Sequence, residues 1–329
     1  MMLSARRACL VVVSALSLLI VIPGVTQPAA AAVTSCRPAM SSTFLQPSFP
    51  VFGWSAARYG EELSAMKAVG ITSVIDQWTL DMDANLAHYP APAGWYPRGA
   101  DMVTPLLQAA AKRRMSVWLG LGNVYDWQAH ATDQVWLQNQ LYINMRTADQ
   151  LYAKYPGQIK GWYISNEVDD ALLSNPAAIG PMTWFFTELA NYLHTRNGNL
   201  PVMASPTYSG LRQSPAQFAA GVKSVLGTLD VVNVQDGGGS GYIGSRDITN
   251  WFTALATAFQ GTRTAIWSNA DMFDSPSGPM APAKLQANLK ATCGLVASRS
   301  GFSFTTQMSP ASLGTSTYYD AYRAYLRSR

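Results

Sequence analysis

The sequence predicts a single (β/α)8 barrel, the TIM-barrel fold of the α/β class, from three observations. Eight short apolar segments alternate with segments of helical period along the chain. The apolar segments show little polar alternation, which indicates parallel strands buried on both faces. Without an N-terminal leader, just under 300 of the 329 residues remain, a length typical of this barrel. An open doubly wound sheet is the alternative.

Residues 1–32 are predicted to be a secretory signal peptide. Arg6-Arg7 forms a short basic start, an apolar run follows, and the small-residue tract PAAAAV completes the pattern, with cleavage expected near Ala32. A retained membrane anchor is the alternative, but the apolar run is near the lower limit for crossing a bilayer. We therefore expect a secreted protein, with no membrane contact after cleavage, whose barrel domain spans residues 33–329.

The first half of the chain supplies four strand and helix pairs. Glycine closes the first helix, basic residues end the second, the third stops before Pro156-Gly157, and Pro181 is expected to open the fourth. In order, the segments are STFLQPSFPVFGW, AARYGEELSAMKAVG, ITSVIDQW, DMVTPLLQAAAKRR, MSVWLGLG, DQVWLQNQLYINMRTADQLYAKY, IKGWYISNE and PMTWFFTELANYLHTRNG.

The second half repeats the scheme. Its fifth strand is expected to end at Tyr208, its sixth at Gln235-Asp236, and its eighth to run to Gln307. In order, the segments are LPVMASPTY, SPAQFAAGVKSVLG, LDVVNVQDGGG, DITNWFTALATAFQG, TRTAIWSNADMF, APAKLQANLKATCGLVAS, SGFSFTTQMSP and STYYDAYRAYLRSR. No linker or low-complexity tract interrupts them, which favours one domain.

Composition narrows the class of partner. The net charge of +4 falls to about +2 without the leader's two arginines (21 basic against 19 acidic residues), which argues against a nucleic-acid partner. Charged residues make up 13% of the chain, against 10 Trp and 15 Tyr, a balance that suits neutral, hydroxyl-rich ligands. Cys36 and Cys293 are expected to form a disulfide. We expect no metal, no cofactor and a monomer.

Polar and aromatic side chains follow the predicted strands. In a (β/α)8 barrel the C-terminal ends of the strands carry the chemistry, although an acid in such a position is often only a helix cap. The joint pattern favours a binding site. The residues expected to bind substrate there are Gln46, Asp76, Gln77, Trp78, Asn123, Tyr125, Asn166, Tyr208, Gln235, Trp267 and Asn269.

Glu167 is the leading catalytic candidate. Alternation along the fourth strand puts it on the same face as Tyr163 and Ser165, and a partly desolvated carboxyl there suits a proton donor. A solvated turn acid is the alternative. Hydrolysis of a glycosidic bond needs a second carboxylate, for which Asp271 is preferred, Asp236 comes second, and Asp76 on strand two is a further candidate. Separations of about 5–5.5 Å would indicate retention, and about 6.5–9.5 Å inversion.

An ordered set of segments resembles the DUF4434 family, (β/α)8 proteins similar to clan A glycoside hydrolases. These segments are TFLQP, IDQWT, GWYISNEVDD, VVNVQDGGG, IWSNADMF and MSP. The resemblance implies a secreted, carbohydrate-active protein. In clan A enzymes an Asn-Glu pair after strand four supplies the acid/base, which corresponds to Asn166 and Glu167. The clan's strand-seven nucleophile is a Glu, whereas this chain has Asn269 and Asp271 there.

Three functions remain open from the sequence. The leading hypothesis is a secreted glycoside hydrolase that acts on a polysaccharide or oligosaccharide. The second is a non-catalytic secreted carbohydrate-binding protein on a TIM-barrel scaffold, suggested by the missing strand-seven Glu. The third is a lyase or hydrolase that acts on a substrate other than a sugar.

Overall fold

The computed structural model describes residues 38–48, 50–275 and 278–328. Residues Cys36–Arg329 form one compact unit. The leader predicted for residues 1–32 lies outside the described residues, so this segment, its cleavage site and the domain boundary at residue 33 stay predictions. Among the residues that are described, no helix is both long and apolar enough to cross a membrane.

Eight parallel strands close into a barrel in sequence order, each hydrogen-bonded to the next and the last to the first. The predicted single (β/α)8 barrel is therefore confirmed. The strands are β1 Ser42–Leu45, β2 Ser73–Asp76, β3 Ser116–Gly120, β4 Gly161–Ile164, β5 Val202–Ala204, β6 Val231–Gln235, β7 Ala265–Asp271 and β8 Ser298–Phe302.

One long helix follows each strand and covers the outside of the barrel. Several helices begin at the capping residues that their sequences supply: the side chain of Asp133, for example, accepts the backbone N–H groups of Val135 and Trp136, both at 3.0 Å. The helices are α1 Ala56–Ala68, α2 Val103–Arg113, α3 Gln134–Lys154, α4 Pro176–Arg196, α5 Pro215–Leu226, α6 Ser245–Ala258, α7 Pro282–Ala291 and α8 Thr317–Arg327.

Short elements sit in the loops after the strands. Several of them border the open end of the barrel described below. They are the strands Leu80–Asp81, Leu86–Ala87, Gly122–Asn123, Phe273–Asp274 and Gly278–Pro279, the 3-10 helix Trp127–His130, and the α-helices Asp170–Leu173, Phe304–Gln307 and Pro310–Leu313.

The boundaries of two elements differ from the sequence prediction. Helix α4 begins at Pro176 instead of Pro181, because Asn175 caps it by accepting the N–H of Ala177 at 3.1 Å. The chain after β8 turns into a short helix instead of extending to Gln307. There the N–H of Phe304 donates to the Thr43 hydroxyl of β1 at 2.9 Å, and the ladder of β8 ends at Phe302.

The apolar core has two layers. One lies inside the barrel and consists of one large side chain from each strand, and the other fills the space between strands and helices. The inner layer contains Phe44, Ile75, Trp118, Tyr163, Met203 and Val231, with Trp267 and Phe302 packed against it. These eight positions identify which residues of each strand face inward.

The last helix holds the start of the described chain. Tyr322 on α8 accepts the N–H of Met40 at 3.0 Å, and the Tyr325 hydroxyl donates to the carbonyl of Pro38 at 2.9 Å. Strand β1 also pairs with β8. Hydrogen bonds therefore join the N-terminal and C-terminal segments of the described barrel.

Candidate active site

The open end of the barrel contains a central cavity of about 250 Å³. It lies where the strands finish, and amide, hydroxyl and aromatic side chains surround it. Among the described residues that line it, Glu167 is the one carboxylate. The lining residues are Phe44, Gln46, Gln77, Tyr163, Glu167, Ser205, Gln235, Asn269, Phe273 and Phe302.

Strand β4 and the residues after it bring Glu167 to this cavity. Tyr163 points into the barrel, where its ring contacts Phe44 at 5.2 Å between centroids. Side chains alternate along an extended chain, so Ser165 and Glu167 follow on the same side. The Ser165 hydroxyl donates to the carbonyl of Gln77 at 2.7 Å. This bond ties the end of β4 to β2 and directs Glu167 into the mouth of the barrel.

The surroundings of Glu167 raise the pKa of its carboxyl group. Burial raises the pKa of Glu167 above its ordinary value, and a hydrogen bond with the Gln235 side chain opposes that rise. The negative charges of Asp271 and Asp169 raise the pKa further. Glu167 is nevertheless half-buried and lines the cavity, so its acidic proton is accessible to a ligand.

A second cavity, of about 450 Å³, opens from the central one toward the loops after β2 and β3. We call it the β2–β3 cavity. It shares Gln46, Gln77 and Glu167 with the central cavity. Its lining residues are Gln46, Gln77, Trp78, Asn123, Val124, Tyr125, Trp127, Gln128, Ser165 and Glu167. Many of the predicted substrate-binding residues therefore lie along these two connected cavities.

Asp271 and Asp236 form a buried pair beside the mouth. Asp271 is 2% exposed, and its Oδ2 accepts the backbone N–H groups of Gly239 at 2.9 Å and Ser240 at 3.2 Å. Asp236 is 0% exposed, and its Oδ1 accepts the N–H groups of Gly238 at 3.0 Å and of Asp271 at 3.2 Å. Neither carboxylate lines the two cavities that Glu167 lines.

The pKa values of Asp271 and Asp236 are raised by different amounts. Burial raises the pKa of Asp271 to about 6, while the N–H groups of Gly239 and Ser240 and the charge of Lys284 oppose the rise. Burial, followed by the negative charge of Asp271, raises the pKa of Asp236 well above its usual range. The pKa of Asp271 rises less than that of Asp236, so Asp271 is the better placed of the two to supply a negative charge.

The raised pKa of Asp271 predicts how stability depends on pH. The folded protein binds the Asp271 proton up to about pH 6, whereas the unfolded chain releases it near 3.8. The contribution of Asp271 therefore favours the folded state below about pH 4 and is lost as the pH rises through 6. In Asp271→Asn the free energy of unfolding should fall less between pH 4 and 6 than in the wild type, by a few kcal/mol at most.

Urea denaturation of both proteins at several pH values measures this difference. Glu188→Gln is the control, because the Glu188 side chain is exposed on α4. Parallel curves for the wild type and Asp271→Asn would contradict the expected protonation of Asp271.

Two predicted binding residues line neither of the two cavities. Tyr208 is 0% exposed, its ring stacks on Trp251 at 4.2 Å between centroids, and its hydroxyl donates to the carbonyl of Asp236 at 3.1 Å. Trp267 lies inside the barrel with its ring edge-on to Trp118 at 5.9 Å. Tyr208 thus belongs to the buried core, and the partly buried Trp267 packs against the inner layer of the barrel.

Two further predicted residues are buried behind the cavity wall. Asp76 follows the inward-facing Ile75, is 2% exposed, and lines neither cavity; burial raises its pKa well above the usual range. Asn166 is 4% exposed, and its Oδ1 has no hydrogen-bond partner among the described residues. The unpartnered oxygen of Asn166 lies next in sequence to Glu167.

The cavities also contain residues that the sequence did not single out. Phe302 ends β8 on the inward face, a position that alternation from Ser300 could have identified. Ser205 could have been found in the same way from Met203 on β5, whereas alternation along β4 already placed Ser165 on the face of Glu167. Phe273 gives no such signal, because it belongs to the short strand Phe273–Asp274 after β7, which only the tertiary structure reveals.

Two further points concern the predicted disulfide and metal ligands. The disulfide expected between Cys36 and Cys293 stays a prediction, because Cys36 lies outside them. Within the ranges that the structure describes, no group of three or more His, Cys, Asp or Glu side chains is arranged to hold a metal ion.

Solved structures with this fold include several proteins named as carbohydrate-active enzymes. A Bacteroides thetaiotaomicron protein described as a candidate alpha-L-fucosidase is 22% identical, with a TM-score of 0.74, covering 94% of this chain and 99% of its own. An endo-1,4-beta-D-mannanase from Thermotoga petrophila is 11% identical, with a TM-score of 0.58 and coverages of 88% and 100%. At these identities the likeness concerns the fold.

An exo-beta-1,4-mannosidase from an Opitutaceae bacterium gives a TM-score of 0.55 at 12% identity, covering 88% of this chain and 59% of the mannosidase. No curated protein matches the sequence. A family model described as "Domain of unknown function (DUF4434)" matches residues 40–314, which include every barrel strand. The resemblance read from the sequence is thus confirmed, and the chain belongs to the DUF4434 family.

Proposed function

We propose that this protein is a glycoside hydrolase in which Glu167 acts as the general acid/base. One observation carries the proposal: Glu167 is the single carboxylate, among the described lining residues, of two connected cavities at the catalytic end of a (β/α)8 barrel. Burial raises its pKa, as a proton donor to a glycosidic oxygen requires. The fold shared with enzymes named as glycosidases supports the same reaction class.

The proposed reaction begins with proton transfer. Glu167 gives its proton to the glycosidic oxygen, the C1–O bond breaks, and its electron pair goes to that leaving oxygen. A water oxygen forms the new bond to C1, and the water's proton passes to a carboxylate. Amide groups of Gln46, Gln77 and Asn269 line the cavity, where they can hydrogen-bond sugar hydroxyls. Aromatic rings at Trp78 and Tyr125 provide apolar surfaces for ring faces.

Asp271 is our choice for the second carboxylate, in preference to Asp236. The negative charge of Asp271 is close enough to raise the pKa of Glu167. Two N–H groups hold Oδ2 of Asp271 in place. Asp236 binds backbone groups of Gly238 and Asp271 and is fully enclosed. In the proposal, Asp236 holds the segment around Asp271. Whether the reaction retains or inverts the anomeric configuration is measured from the anomer of the first product.

A non-catalytic carbohydrate-binding protein is the second candidate function. The observation in its favour is that Asp271 lines neither cavity, so no second acid faces Glu167 across them. Such a protein would bind a glycan through the same amide and aromatic groups and leave it intact. Its binding surface would be the one described above.

Incubation of the purified protein with a panel of polysaccharides and oligosaccharides tests both candidates. We expect new reducing ends to accumulate linearly with time and with protein concentration on at least one substrate. Calorimetric binding to a glycan without any product would favour the binding protein and reject the hydrolase.

We also propose that the protein acts outside the cytoplasm. This proposal rests on residues 1–32, whose sequence resembles a signal peptide. N-terminal sequencing of the exported protein tests it.

A further inference from the structure

We propose that the mouth of the barrel is an open cleft that holds a neutral polysaccharide on both sides of Glu167, so that the protein cleaves internal bonds. This inference rests on the proposed hydrolase function and adds the mode of attack and the class of substrate. Three observations carry it: the row of cavities, the position of Glu167 within that row, and the charge of the lining.

A third cavity, of about 450 Å³, adjoins the central one near the ends of β7 and β8. We call it the β7–β8 cavity, since the segments after β7 and β8 form most of its wall. It shares Gln46, Phe273 and Phe302 with the central cavity. Its lining residues are Gln46, Phe273, Asp274, Ser275, Gly278, Phe302, Thr306 and Gln307.

The three cavities adjoin one another in a row, with the central cavity next to each outer one. The central cavity shares residues with each of its neighbours, and the side chain of Gln46 lines all three. Each outer cavity, at about 450 Å³, lies within the usual size range of a small-molecule site. A ligand that fills the row therefore extends well beyond one binding pocket in both directions.

Glu167 lies within this row and not at its end. It lines the β2–β3 cavity and the central cavity, and so marks the junction between them. Beyond the central cavity lies the β7–β8 cavity. A chain laid along the row has sugars on both sides of the bond nearest Glu167. An enzyme that removes single terminal sugars would instead have a wall on one side of its acid.

The charge of the lining selects the class of chain. Among the described residues that line the three cavities, none is Lys or Arg, and the two acids are Glu167 and Asp274. The carboxylate of Asp274 is bound by Lys284 Nζ at 2.8 Å. A uronate or sulfate group would meet no Lys or Arg among these lining residues and would lie close to Glu167, which costs free energy. Amides and aromatic rings suit neutral sugars.

The reaction at an internal bond balances as simple hydrolysis. The proton of Glu167 goes to the glycosidic oxygen, which becomes a hydroxyl of one fragment. The water oxygen joins C1 of the other fragment and creates a new reducing end, while the remaining proton of the water returns to the protein. One chain and one water give two shorter chains.

The size distribution of early products tests the mode of attack. With a neutral polysaccharide such as a mannan, a β-glucan or a xylan, we expect oligosaccharides of several lengths and a fall in viscosity before many reducing ends form. Monosaccharide alone from the start would overturn this inference and leave the hydrolase proposal standing. No product from any substrate would reject both, and faster cleavage of polygalacturonate would overturn the neutral class.

Two variants test the two outer cavities separately. Tyr125 lines the β2–β3 cavity and is 88% exposed, and Gln307 lines the β7–β8 cavity; neither lines the central cavity. We expect Tyr125→Ala and Gln307→Ala each to lower kcat/KM on the polysaccharide about fivefold, the size of one lost hydrogen bond or small apolar contact. Both should have less effect on the shortest cleaved oligosaccharide.

Tyr142→Ala is the matched control. Tyr142 is a tyrosine with 54% exposure on α3, and it lines none of the three cavities. We expect its kinetics to equal those of the wild type on every substrate. An unchanged kcat/KM in either Tyr125→Ala or Gln307→Ala on the long chain would remove that cavity from the substrate path and overturn binding on both sides.

Discussion

Glu167→Gln is expected to lower kcat for glycan hydrolysis by a factor of about 10² to 10⁴, the usual contribution of a positioned general acid. The amide keeps the size and hydrogen-bonding ability of the side chain but has no proton to give. Burial holds the pKa of Glu167 above its ordinary value, so the acidic form persists in the wild type where an exposed Glu would be ionised. Steady-state kinetics of both proteins on the best substrate measure the loss.

The leaving group provides an internal check on the role of Glu167. An aryl glycoside with an acidic phenol needs little proton assistance, so its bond cleavage should suffer much less in Glu167→Gln than that of a natural glycan. Glu188→Gln, on the exposed face of α4, is the control and should match the wild type. Equal turnover of a natural glycan by Glu167→Gln and wild type would reject Glu167 as the acid.

Gly239→Ala is expected to lower kcat/KM on the order of a hundredfold, with a loss of stability as well. A Cβ at Gly239 would lie 2.1 Å from the carbonyl oxygen of Phe273 and 2.6 Å from Cβ of Asp271. The segment has to move, and with it the N–H groups of residues 239 and 240 that hold Oδ2 of Asp271. A displacement near 1 Å at a catalytic group costs about that much.

Overpacking alone typically costs about 1–3 kcal/mol of stability, so thermal unfolding should be measured together with activity. Gly244→Ala is the matched control in the same loop. The nearest atom to a Cβ added at Gly244 is an oxygen of Asp247 at 3.9 Å, and the φ of -81° at Gly244 suits any residue. Wild-type activity in Gly239→Ala would mean that the position of Asp271 does not matter for the reaction.

The fold could be predicted because the spacing of apolar residues along the sequence indicates each strand and each long helix. Each strand is a short apolar run, each long helix has an apolar face, and the closed parallel arrangement follows from eight such pairs in sequence order. The ends of helices and strands were predicted less well where a capping residue or a hydrogen bond between distant segments determines them. Pro181 occurs inside α4, because Asn175 and Pro176 already start that helix one and a half turns earlier.

The wall of the site was predictable only in part. Alternation along β4 and β6 leads to Glu167 and Gln235, both of which line the central cavity. The same rule does not say how far a loop folds back over a strand end. The segment from Asp236 to Ser240 covers Asp271, and Phe273 enters the cavity from a short hairpin. Those placements depend on contacts between distant loops, which periodicity does not encode.

The hydrogen bonds between α8 and the residues before β1 affect how the chain folds. Tyr322 and Tyr325 bind backbone groups that lie 282 and 287 positions earlier, and β1 also needs β8 as its neighbour. Contacts so remote in sequence slow the search for the native topology. On the ribosome, one edge of the first strand stays unpaired until β8 has been synthesised, so the interval in which that edge can aggregate lasts for most of translation.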